Sequence, residues 1–77
     1  MTPRAAVLLS YFTGLAPVGE TFEVPRKWIM EDLEIGSSQT FAVLIRELVS
    51  TRRIRQIARG YAGTSGIFTV IRRLEQA

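Results

Sequence analysis

The 77-residue chain contains no cysteine and no histidine. The first absence excludes a disulfide, a thiolate nucleophile and any cysteine metal site. The second removes the commonest general base, the commonest metal ligand and every histidine-based zinc motif. With that toolkit gone, an enzyme is not the expected reading, and no cofactor or metal is expected. No apolar run reaches the roughly 18 residues of a membrane span, so no membrane role is expected. The apolar stretch at residues 5–9 (AAVLL) follows a lone Arg4 and is broken by Ser10, with no small-residue cleavage site after it. It reads as a core helix of an intracellular protein rather than a targeting signal. No repeat or linker divides the chain, and residues 1–77 read as one small domain, near the lower size limit for a self-sufficient core.

What is present is a globular composition with a polarised charge. Apolar residues make up 47%, enough to disfavour disorder, and the net charge is +3. Residues 1–45 hold three cations against five carboxylates, whereas residues 46–73 hold seven arginines against Glu47 alone. Such a split suits an anionic partner facing the C-terminal half, although a basic face that merely stays solvated would look the same.

Periodicity orders the elements. Thr2-Pro3 gives an N-cap followed by proline at the first helical position, and Val7, Leu8, Tyr11, Phe12 and Leu15 keep a helical period until Gly14 and Pro17 close it. Residues 20–24 (ETFEV) alternate, with Phe22 and Val24 on one side, as a short edge strand. A second helix opens at Pro25 and carries Trp28, Ile29 and Leu33, with Trp28 expected as a core anchor. Gly36 interrupts it, and Ser37 and Ser38 are candidate caps of a third helix. There Phe41, Leu44, Ile45 and Leu48 form a buried stripe, opposite Gln39, Val43, Arg46 and Ser50. Residues 54–61 (IRQIARGY) read as an impure strand in which Ile54 and Ile57 fail to alternate, so a bulge or early bend is expected. Residues 62–66 form a polar, glycine-rich loop and residues 67–71 (IFTVI) a clear strand with Phe68 and Val70 on one face. The tail 72–77 is left to fray or to add a partial helical turn.

This order, α-β-α-α-β-β, resembles the winged helix-turn-helix domains of small bacterial, phage and plasmid transcriptional regulators and replication initiators. The likeness spans about residues 5–71. It rests on the first helix AAVLLSYF, on GETFEVP entering the second helix, on Leu33-Glu34-Ile35 at the turn, and on Ile45-Arg46-Glu47-Leu48 ahead of Ile54. One departure is Arg53, which stands where a glycine often ends the recognition helix. The resemblance implies an α+β fold with a three-helix core, a short edge strand and a C-terminal hairpin wing. The helix-turn-helix would cover about 25–52, its recognition helix about 38–52, and the wing about 54–71.

It also implies double-stranded DNA as partner, and a cytoplasmic, nucleoid-associated protein. Ser37, Ser38, Gln39 and Thr40 open the recognition helix, whose N-terminal amides favour phosphate. Gln39 suits adenine, Arg46 guanine and Val43 a thymine methyl. Arg52, Arg53, Arg55 and Arg59 suit phosphates, with two or three of them in use. Arg26 and Lys27 would hold a flanking phosphate, and Tyr61, Thr64 and Ser65 belong to the wing. Against each stands a plainer role: the serines as caps only, Arg46 in an exposed ion pair, Tyr61 packed at the hairpin base, Arg72 and Arg73 as a solvated tail. Gly60, Gly63 and Gly66 form GxxGxxG, but no Lys-Ser/Thr pair follows and a strand comes next, so a phosphate loop fails. Glu31, Asp32 and Glu34 lack a glycine-bearing ligand loop and read as a solvated face.

A sequence-specific transcriptional regulator is the leading expectation, and a homodimer on a palindromic site would add to a small interface. A replication or recombination origin-binding or architectural factor would use the same surface. A winged helix that binds only protein, as an inhibitor or adaptor, would show no duplex affinity.

Overall fold

A computed structural model describes residues 1–58 and 65–72. Thr2 caps the first helix, α1 (Pro3–Leu15): its hydroxyl accepts from the Ala5 N–H at 3.3 Å, and Pro3 takes the first turn, where no N–H is needed. The chain turns at Gly19, which takes a φ of +92°, and enters β1 (Thr21–Pro25). Pro25 closes this edge strand and is the N-cap of α2 (Arg26–Asp32), rather than its first helical residue. Helix α3 (Ser38–Ser50) leads to β2 (Ile54–Ala58), and β3 (Ser65–Val70) completes the described elements. The result is an α+β fold of three helices and one antiparallel sheet in the order β1-β3-β2, with the element order that the sequence implies.

Residues on one face of each element meet in the middle. Phe22 and Val24 of β1 and Phe68 and Val70 of β3 turn inward, and the α3 stripe of Phe41, Leu44, Ile45 and Leu48 packs with them. Phe12 stacks on Phe68 at a centroid separation of 5.1 Å, with Phe22 against both rings. The bulge anticipated in the second strand lies at Ile57. Gln56 pairs with Phe68 and Ala58 with Ile67, so Ile57 has no partner and its side chain points out.

Three expectations of burial and backbone fail. Trp28 is no core anchor: it is 60% exposed, and Ile29 alone of α2 is buried. In α1 the buried stripe is Ala5, Leu8, Leu9 and Phe12, continued by the C-cap Ala16, which leaves Val7 and Leu15 in solvent. Gly36 does not take the left-handed backbone that ends α2; Glu34 does, with a φ of 55°. The Glu34 N–H then donates to the Glu31 carbonyl and that of Ile35 to Met30, the paired bonds of a Schellman motif. The same motif ends α3. Arg52, not Arg53, takes the left-handed position at φ 60°, its N–H donating to Val49 while that of Arg53 donates to Leu48.

Two side-chain ties fix α1 against the other helices. The Glu47 carboxylate of α3 accepts from the Thr2 N–H at 2.6 Å and from its hydroxyl at 3.1 Å, at the N-terminus of α1, where negative charge is favourable. The Tyr11 hydroxyl donates to Asp32 of α2 at 2.7 Å. That hydrogen bond, helped by partial burial and the Asp32 charge, raises the Tyr11 pKa above its ordinary value.

Candidate nucleic-acid interface

Helix α3 supplies the centre of the site. Ser37 is its N-cap, the hydroxyl oxygen accepting from the amides of Gln39 at 3.2 Å and Thr40 at 3.4 Å. Ser37 therefore caps the helix, while Ser38 stands exposed at the first helical position. Burial of the Phe41-Leu44-Ile45-Leu48 stripe turns Gln39, Val43, Arg46 and Ser50 to solvent. Thr40 lies at the margin, half-buried on the flank that Glu47 shares. Glu47 is the one carboxylate of α3, and it is committed to Thr2. The outer face of the helix thus carries a single charge, the exposed Arg46, and Glu47 does not hold it.

The neighbouring elements extend this face. Between α3 and the sheet lies a groove of about 360 Å³ with Arg26 and Arg46 both on its lining. Its floor is core: Phe41, Ile45 and Phe68, with Gly66 beneath the Phe68 ring. Val49 borders this groove and a second concavity of about 510 Å³ beside β2, whose lining includes Arg52, Arg55 and Ile57. One band of surface therefore runs from Arg26 over Arg46 and Val49 to Arg52 and Arg55.

The remaining expected residues divide. Lys27 is exposed, sits 3.9 Å from Glu31 in an i,i+4 ion pair, and lines the groove over α2 rather than either concavity of the band. Arg53 is half-buried and engaged; its carbonyl accepts from Ile71 and Arg72, and its backbone anchors the end of α3. Ser65 opens β3 opposite Pro25. Arg59, Tyr61 and Thr64, with the loop glycines Gly60 and Gly63 and the tail beyond Arg72, lie outside the described residues.

The sequence reading missed Ala42, Val49 and Gln56. The first two flank Val43 and Arg46 on the helical wheel and could have been taken from the same period. Gln56 follows from strand alternation: two residues after Ile54 it lies on the same face of β2, before the bulge at Ile57, and it reaches the groove.

Among the described residues no group of three or more side chains could hold a metal ion, and no helix is long and apolar enough to cross a membrane. No protein-family model, curated protein or solved structure matches the chain, so a functional reading stands on these residues themselves.

Proposed function

We propose that the chain is a winged helix-turn-helix protein that binds double-stranded DNA by sequence, acting as a small transcriptional regulator. The observation that carries the reading is the outer face of α3. It presents Gln39, Val43 and Arg46 to solvent, its one carboxylate is turned onto α1, and arginines continue the face on both sides. An α-helix fits the major groove, where a glutamine amide matches adenine, an arginine fork matches guanine and valine meets a thymine methyl. Arg26, Arg52 and Arg55 flank the helix where phosphates would run, and they supply affinity without sequence choice.

The test is selection from a pool of random duplexes at two salt concentrations, followed by sequencing of what is retained. A recovered motif is expected. Its affinity should fall with salt at a log–log slope of about −0.9 per phosphate contacted. Retention without a motif would reduce the role to backbone binding, and no retention at low salt would refute the proposal.

A further inference from the structure

Trp28 is the only tryptophan of the chain and stands 60% exposed on α2. It lines an open groove of about 650 Å³ whose other apolar walls are Pro25, Met30 and Ile35. Ile35 also borders a smaller hollow of about 220 Å³, with Val7 and Leu33 on its lining, so apolar surface continues towards α1. An exposed tryptophan beside such walls is surface that association can cover. The charges around it balance, Arg26 and Lys27 against Glu31 and Glu34, so the groove offers no net attraction for phosphate.

We propose that this face joins two copies of the chain through antiparallel contact of their α2 helices. Lys27 and Glu31 stand on the solvent side of α2, opposite the buried Ile29, with side chains 80% and 63% exposed. A two-fold axis passing level with Ile29 sets Lys27 against Glu31 of the second copy and Glu31 against Lys27 of the second copy. The weak ion pair within one copy becomes two between copies, as an isologous contact requires. The same axis brings the two Trp28 rings together on one flank and the two Met30 side chains together on the other. Aromatic and methionine side chains are enriched at protein interfaces relative to the rest of the surface. A standard contact of about 800 Å² per partner would cover roughly a sixth of the 4956 Å² of accessible surface, which is feasible for one face of this domain.

The contact is independent of DNA binding and is tested without DNA. Sedimentation equilibrium across a range of concentrations should show a monomer–dimer equilibrium. Emission of the sole tryptophan should shift to the blue over the same range, as its ring leaves water. Lys27→Glu sets like charges across the axis and should weaken association by about tenfold or more. The Lys27→Glu/Glu31→Lys double variant restores complementarity and should restore the dimer. Circular dichroism should show that these exposed substitutions leave the fold intact. A protein that stays monomeric, or a dimer whose Trp28 emission and stability are indifferent to Lys27→Glu, overturns the proposal.

Discussion

Arg52 offers a test in which stability and binding should move in opposite directions. It takes a φ of 60° just after the C-cap of α3, a conformation that costs a residue with a Cβ about 1–2 kcal/mol. Glycine removes that cost but gives back about 0.5–1 kcal/mol in unfolded-chain entropy. The two backbone bonds that end the helix, Arg52 N–H to Val49 and Arg53 N–H to Leu48, need no side chain and survive the change. Arg52→Gly should therefore stabilise the domain by about 0.5–1 kcal/mol, and a domain of this size gains roughly 3–6 °C in melting temperature from that. Arg52 also stands on the basic band, so the same variant should bind duplex DNA more weakly and lose about 0.9 from the salt slope.

Two controls separate the effects. Arg52→Ala keeps the backbone strain and should lose binding without gaining stability. Glu34→Gly relieves the equivalent strain at the end of α2, φ 55°, and should gain stability with the salt slope unchanged. Thermal melts and salt-series titrations of the three variants decide the matter. A melting temperature that stays put or falls in Arg52→Gly would refute the strain, and an unchanged slope in both Arg52 variants would remove the residue from the interface.

Glu47→Ala strips the N-terminus of α1 of both side-chain hydrogen bonds at Thr2 and should cost about 1–2 kcal/mol by urea denaturation, with Glu47→Gln intermediate. Tyr11→Phe removes the hydrogen bond to Asp32 and should cost about 0.5–1 kcal/mol at neutral pH. Because the folded-state Tyr11 pKa is raised above the unfolded value of 10.0, this contribution is fully present below that value and is lost as pH rises through the folded pKa. The gap between Tyr11→Phe and wild type should then close at alkaline pH. Gly66→Ala places a Cβ 2.6 Å from the Phe68 ring, which Phe12 and Phe22 hold from the other sides. Relieving that contact displaces a packed ring, and about 1–3 kcal/mol should be lost in thermal melts. Arg46→Ala should cost about 1–3 kcal/mol on the preferred site and relax its choice at one base pair. Equal binding of all duplexes before and after the change would exclude Arg46 as a reader.

The α3 stripe was legible because four large apolar residues recur at i, i+3, i+4 and i+7, and all four are buried. The cap at Thr2 was legible because the sequence places Thr-Pro there, a pairing with one local solution. Trp28 was misread because size was taken for depth. In a seven-residue helix that buries only Ile29, a neighbour one position away is carried about 100° around the axis and out of the core. The helix ends differ from the interruption expected at Gly36 and the terminal position given to Arg53, because Glu34 and Arg52 take the left-handed turns. Tertiary packing imposes both termini: the chain must reverse at once to bury Ile35 and Ile54, and that demand outweighs local preference. The groove could not be read at all, since it needs α2, α3 and the sheet brought together across the whole chain.

The residues that break local rules do not scatter. Arg52, strained, and Ile57, bulged and exposed, both border the concavity beside β2 at one end of the basic band. Glu34, strained, and Trp28, exposed, both line the groove over α2. A chain selected only to fold would put glycine at each left-handed position and a polar residue at position 28, and would be more stable for it. Local cost retained on a surface is expected where that surface has a task. Here it collects on two faces, one cationic and one apolar with charge of both signs. These match different partners, which is why the proposed DNA contact and the proposed self-contact can be broken separately: Arg52→Ala should bind DNA poorly yet still dimerise, whereas Glu31→Lys should fail to dimerise while keeping its salt slope on a single half-site. If either variant lost both properties together, the two faces would be one, and the division of the surface argued from these four residues would be wrong.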